Sequence, residues 1–561
     1  MNCSKHFAIW ALALFVVCTP ASAQDDTFSS FDEEFKKFQQ DAEQEYTSFR
    51  DQCNAEYAKF LEEAWKSFKG EKPKPKPKDQ PPLPTNIIEG LQNPQPIVEN
   101  AEAKTDARFN FRGAFKAIKD FIKPKRPEPI FTDEEPKQSK QKQDDDFFAK
   151  SQNNQSKQEA KPATKPAMKP VTPGRVSTAS ANSGSYLSFN FYGTKMEVCL
   201  GEIDQKLKLT NAQNTEVAEA WRTCSKPQYN DLIRDCLKLR EDYNLCDWAY
   251  LEMLQTISDK YLGKGTNESI FLTAYIFCQS GYQIRLGADG NKLLLLYAAQ
   301  DGMFGHPYYQ IGNTRFYILN SSGGSMATIN ACDHEFSQKE QALSLLPYDS
   351  PKFSHADDGK RTIRSPHFDD FYISVAVNKN LIKFFESYPE AILKGVNNEN
   401  FIDWTKYANT PLSEETKQQI YPQLRAKLNG LSQHDKVCRL LSLLQYGIPY
   451  EYDENVWKRD RAFFPEETLY YPQCDCEDRA ILFSRLVRDI IGLKVALVYY
   501  PEKLGHLAAA VNFTDQSVTG DFVELEDGRF YICDPTNCDP EPGVTMRDEY
   551  NEKAQFFVLP I

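Results

Sequence analysis

The stretch from residue 71 to residue 184 constrains this chain more than any other. It begins with KPKPKPKDQPPLP at residues 72–84, which reads as an extended, semi-rigid spacer. From residue 86 onward it is mostly Lys, Gln, Asp, Ser, Asn and Pro. So little apolar surface cannot offset the entropy of ordering the backbone, and a disordered linker is expected. One island breaks the pattern. Phe111, Phe115, Ile118 and Ile122 mark a short basic amphipathic helix within Phe109–Arg126. Compact structure must therefore be built from the segments on either side.

Before the linker, residues 24–70 carry Phe28, Phe31, Phe35, Phe38, Ala42, Tyr46, Phe49, Cys53, Tyr57, Phe60, Ala64 and Phe68 at steps of three or four. That spacing predicts one long amphipathic helix ended by Gly70. Aromatics make poor coiled-coil seams, so the helix is expected to lie on the protein's own body, with a separate binding partner as the alternative. Residues 1–23 have the form of a signal peptide. Lys5 precedes an apolar run from Phe7 to Val17, and Ala-Ser-Ala stands before Gln24. Export to a periplasmic or extracellular space is the expectation. No later apolar run approaches membrane-spanning length. A net charge of −13 without a concentrated basic face argues against nucleic acid. Fourteen cysteines scattered along 561 residues do not make a disulfide framework, although export would permit a pair such as Cys533 with Cys538.

The chemistry-bearing residues lie near the C-terminus. CDCEDRA, Cys474–Ala480, opens an apolar-periodic run that Gly492 stops. Cys476 thus falls at a helix start, where unpaired N–H groups favour a thiolate. LKVALVYY and HLAAAV read as strands, the second opened by His506, and GRFYICDPT reads as a third, ended by Asp534. A helix-borne Cys followed by strand-borne His and Asp is a nucleophile, base and orienter in order. The stretches CEDRA, GHLAAAV and FYICDPT, in that order, resemble the transglutaminase-like superfamily of papain-type Cys-His-Asp proteins. The resemblance covers about the last quarter of the chain and suggests an exported bacterial member. It implies an α+β fold, Cys476 as nucleophile, His506 as base and Asp534 as orienter. Cys474 stands where that family usually has Gly or Ser.

The same frame recurs upstream. With Gly281 laid on Gly492, Ile284 falls on Val495, Lys292 on Lys503 and Leu293 on Leu504, and TRFYILN from Thr314 falls on GRFYICD from Gly528. This alignment puts Gly265, Leu295 and Asn320 in the three catalytic places. Residues 185–375 are then a degenerate, inactive copy and residues 376–561 the catalytic domain.

The expected chemistry is attack of the Cys476 thiolate on an amide carbonyl, through a thioester, to water or an amine. The substrate is then a protein or peptide, cell-wall peptide included, and no metal or cofactor is required. The oxyanion calls for the Cys476 N–H and a Gln side chain, with Gln445 preferred to Gln473 because a helix end aims it. Two other classes stand beside this reading. One is a non-catalytic scaffold of transglutaminase-like domains. The other is a structural zinc site of Cys474, Cys476, Cys533 and Cys538.

Overall fold

The computed structural model describes residues 37, 44, 47–75, 185–201, 207–319, 328–394, 400–501, 505–515, 517–537, 541–545 and 554–560. The signal segment, the helical island at 109–126 and nearly all of the expected linker lie outside them.

The N-terminal helix ends earlier than its aromatic spacing suggests. Helix α1 (47–62) ends where the Trp65 indole N–H caps the Leu61 carbonyl at 3.1 Å. Residues Lys66–Glu71 then form strand β1. Phe68, expected on the helix, is a strand residue opposite Ile329. The helix lies on the protein itself. Asn54 accepts from the Trp221 indole at 2.9 Å and from Gln279 at 3.0 Å, and the Arg50 guanidinium donates to Asn230 at 2.8 Å.

Next come the hairpin β2 (Ser185–Phe191) and β3 (Thr194–Gly201), then helices α2 (Asn214–Cys224), α3 (Asn230–Asp242), α4 (Asp247–Leu262) and α5 (Asn267–Gln279). Strands β4 (Ile284–Asp289), β5 (Lys292–Ala298), β6 (Gly302–Met303), β7 (Tyr308–Ile311), β8 (Thr314–Ile318) and β9 (Thr328–Ala331) follow. Six strands close into a barrel of order β1-β7-β8-β5-β4-β9, with β1 bridging β7 and β9. Side-chain alternation sets the two faces of KLLLLYA. Leu294, Leu296 and Ala298 meet Tyr309, Phe316 and Ile329 inside the barrel, while Leu293, Leu295 and Tyr297 join the helical core outside.

The remainder comprises β10 (Arg361–Arg364), β11 (Tyr372–Val375), α6 (Lys379–Glu386), β12 (Ala391–Lys394), β13 (Asn400–Ile402), α7 (Trp404–Asn409), α8 (Glu414–Leu428), α9 (Gln433–Gly447), α10 (Asp453–Trp457), α11 (Pro465–Tyr470) and α12 (Cys476–Leu486). A π-helical turn, Val487–Ile491, extends α12 to Gly492, whose φ of 78° ends it in the left-handed region. Then come β14 (Lys494–Tyr500), β15 (His506–Asn512), β16 (Phe522–Leu525), β17 (Gly528–Cys533) and β18 (Gln555–Val558), in the sheet order β16-β17-β15-β14-β18. The chain is a mixed helix-and-sheet structure.

One boundary differs from expectation. Ile363, Phe371, Ile373 and Val375 of the β10–β11 hairpin share a core with α8, α9 and α12. That hairpin therefore belongs with the C-terminal part and not with residues 185–360. Residues 450–473 contain α10 and α11. Their aromatics turn inward, with Trp457 5.0 Å from Tyr471 and the Arg461 guanidinium 4.6 Å over the Trp457 ring. The two halves are joined by β6 pairing with β12 and by one continuous apolar core that includes Leu254, Phe464 and Leu507.

Candidate active site

Cys476 is the first residue of α12. The Asp478 carboxylate fixes that helix start by accepting from the Asp475 N–H at 3.3 Å and the Phe463 N–H at 2.7 Å. Cys474, two residues earlier, turns into the helical core and is held by its N–H on the Pro449 carbonyl at 3.2 Å. Burial pushes its thiol up to about 12. The Cys476 sulfur instead lies against β15, where it takes the Leu507 backbone N–H.

His506, the residue before Leu507, opens β15. Its Nε2 is 2.9 Å from Asp534 Oδ2. Its Nδ1 is buried without a hydrogen-bond partner. Asp534, at the end of β17, uses its other carboxylate oxygen to accept the Thr536 N–H at 2.8 Å. The Asp-Pro-Thr turn and the imidazole thus share one carboxylate. Gln445 reaches the same place from the C-terminal turn of α9. Its amide donates to the Asp534 backbone carbonyl at 3.0 Å. That bond ties the end of β17 to α9. Gln473 is only half-buried.

Electrostatics and access at the helix start differ from expectation. The acids of the helix start, Asp475, Glu477 and Asp478, are each at most 1% exposed. Cys476 and His506 are each 1% exposed and Asp534 is 3% exposed. The helix start was expected to favour a thiolate. Burial, Glu477 and Asp475 instead hold the Cys476 thiol well above its ordinary range, with Glu477 Oε2 3.1 Å from the sulfur. The carboxyls crowd one another as well. Burial and Glu477 raise Asp453 to about 8, and Asp475 and Asp478 are raised by burial and by the neighbouring acids.

The expected four-cysteine zinc set is not assembled. Cys474, Cys476 and Cys533 form no cluster within metal-binding reach, and Cys538 lies outside the described residues. Cys533 is a thiol without a disulfide. Groups whose ligand atoms do converge are Asp453 with Asp475 and Asp478, Asp453 with Asp460 and Glu477, Asp475 with Cys476 and Glu477, and His434 with Cys438 and Glu541.

The upstream sheet repeats this one strand for strand. The run β7-β8-β5-β4-β9 has the chain order and neighbours of β16-β17-β15-β14-β18. The register revises the residue correspondence. Leu296 pairs with Ile318 as Ala510 pairs with Ile532, so Lys292, paired with Asp289, stands where His506 stands, paired with Tyr500. Asn267, the first residue of α5, takes the Leu293 N–H on its side-chain oxygen at 2.9 Å, as Cys476 takes that of Leu507. The upstream counterparts of the Cys and His are therefore Asn267 and Lys292, in place of Gly265 and Leu295. Asn320 lies outside the described residues. Among the described residues no helix is long and apolar enough to cross a membrane. Set against known protein families, curated proteins and solved structures, the chain matches none of them.

Proposed function

We propose that this chain is a thiol enzyme acting on amide bonds of a protein or peptide. It uses Cys476 as nucleophile, His506 as base and Asp534 as the group that orients the base, in the manner of the transglutaminase-like superfamily. One observation carries the reading. His506 commits Nε2 to Asp534 and keeps Nδ1 unbonded, on the strand whose next amide lies on the Cys476 sulfur. For reaction the thiol turns from Glu477 Oε2 to Nδ1, Nδ1 takes its proton and the sulfur attacks the amide carbon. The C–N bond breaks, and Nδ1–H protonates the departing amine. Water or a second amine then resolves the thioester. The Cys476 backbone N–H supports the oxyanion. Gln445 acts through Asp534 as a positioning residue. The apolar run at Phe7–Val17 with Ala-Ser-Ala after it supports action outside the cytoplasm.

A second reading rests on the burial of the sulfur and the carboxyl beside it. A thiol so shielded suits a scaffold whose former catalytic group is now core. Labelling the native full-length protein with an iodoacetamide probe, with peptide mapping, separates the two. The enzyme reading expects labelling at Cys476, lost in Cys476→Ala and slowed in His506→Ala. Labelling of Cys476 only after denaturation would overturn it in favour of the scaffold.

A further inference from the structure

Helix α9 carries a second constellation at its other end. His434 and Cys438, one turn apart on one face, meet Glu541 from the segment that follows β17. We propose that His434, Cys438 and Glu541 form a zinc site that ties this segment to α9.

The three ligand atoms converge, with the sulfur over the imidazole face, so the ring turns about Cβ–Cγ to aim Nε2 at a shared ion. Cys438 Sγ is 3.6 Å from His434 Nδ1, 3.7 Å from His434 Nε2 and 3.7 Å from Glu541 Oε2. Zinc bonds of about 2.0–2.1 Å to nitrogen and oxygen and about 2.3 Å to sulfur, at tetrahedral angles, require sulfur–nitrogen and sulfur–oxygen edges of about 3.6 Å. The remaining edge, His434 Nε2 to Glu541 Oε2, is 2.9 Å and is closed by a shared proton. It opens by about half an ångström when an ion replaces that proton. The imidazole is backed by a carboxylate, because Asp435 Oδ1 lies 3.3 Å from His434 Nδ1. That contact fixes the tautomer which turns Nε2 toward the metal. Asp435 is itself anchored by its N–H on the Ser432 hydroxyl at 3.0 Å.

Thiolate, imidazole and carboxylate together suit zinc better than calcium or magnesium, which take oxygen ligands only. Cys438 is buried while His434 and Glu541 are partly exposed, so the ion reaches the site from solvent and keeps a water as its fourth ligand. The site has a structural consequence. The segment leaving Asp534 is tied to α9 at Gln445 by the amide bond to the Asp534 carbonyl, and the metal supplies a second tie at the far end of the same helix.

The experiment uses the full chain stripped of metal and then titrated with zinc alone or cobalt alone. One tight equivalent of cobalt is expected to give a thiolate-to-metal charge-transfer band, and zinc to displace it and raise the melting temperature. The band should vanish in Cys438→Ser and persist in Cys474→Ser. Zinc affinity should fall by 100-fold or more in His434→Gln or Glu541→Gln, which change partly exposed side chains, and about tenfold in Asp435→Asn. Absence of the cobalt band at a stoichiometric ratio, or a band undiminished in Cys438→Ser, would overturn the proposal and leave His434 and Glu541 as a plain ion pair.

Discussion

Asp534 makes three contacts at once, and they can be separated by substitution. Asp534→Ala removes the carboxylate that accepts from His506 at 2.9 Å and Thr536 at 2.8 Å. Hydrogen bonds to a charged group contribute about 1.5–3 kcal/mol each, so the loss should be about 3–6 kcal/mol. Asp534→Asn keeps an oxygen for the Thr536 N–H and offers Nδ2 as a donor to an unprotonated Nε2, at a cost of about 1–2 kcal/mol. The Asn donor forces the imidazole proton onto Nδ1, the nitrogen proposed to receive the thiol proton. Asn should therefore fold and be chemically inert, whereas Ala should be both inert and unstable. Urea unfolding followed by tryptophan fluorescence is the assay. With a slope of about 3 kcal/mol per molar, the midpoint should fall by about 1–2 M for Ala and by about 0.5 M for Asn. Equal midpoints for the two variants would refute the hydrogen-bond argument. Native reactivity of Cys476 in the Asn variant would refute the tautomer argument.

Two further outcomes follow from the buried acids. Glu477→Gln keeps an acceptor 3.1 Å from the Cys476 sulfur but removes its charge. The Coulomb ceiling at that separation is about 5 kcal/mol for an effective dielectric of 20, and a quarter of it already raises the thiolate fraction about tenfold. The pH profile of Cys476 alkylation should therefore shift to lower pH, and an unshifted profile would remove Glu477 as the cause. Asp453, raised to about 8 by burial and by Glu477, holds a proton in the folded state that the unfolded chain gives up near 4. Its contribution to stability is complete below about 4 and is lost as pH rises through about 8. Asp453→Asn should flatten that decline in a series of urea midpoints, and an equally steep fall in the variant would count against the assignment.

How far the sequence could be read depended on whether a pattern was local. The α9 start is a local signal, because Ser432 caps it with its own hydroxyl, accepting from the Asp435 N–H at 3.0 Å. Strands β14, β15 and β17 were legible from their apolar runs, and the His506–Asp534 contact followed from their order. Phe68 misled because it continues the helical spacing of Ala64, while its strand conformation is set by pairing with Ile329 far along the chain. The catalytic register was misread because the turn between β4 and β5 is a tight one through Gly290, at φ 58°, whereas a longer segment joins Tyr500 to His506. An ungapped alignment carries that difference into the next strand and so laid Leu295 on His506. The burial of the acids around Cys476 was not legible, because polarity alone does not reveal that α10 and α11 fold over them.

Strand β1 lies on the near side of residues 76–184, while both of its partners, β7 and β9, lie on the far side. During synthesis this strand must wait with its edges open until more than half of the protein has been made. A peptide-bond cut anywhere in that interval would yield two polypeptides rather than a truncated one. The short piece would stay seated through Trp221, Gln279 and two rows of backbone hydrogen bonds, so denaturing and native electrophoresis would report different sizes for the same molecule.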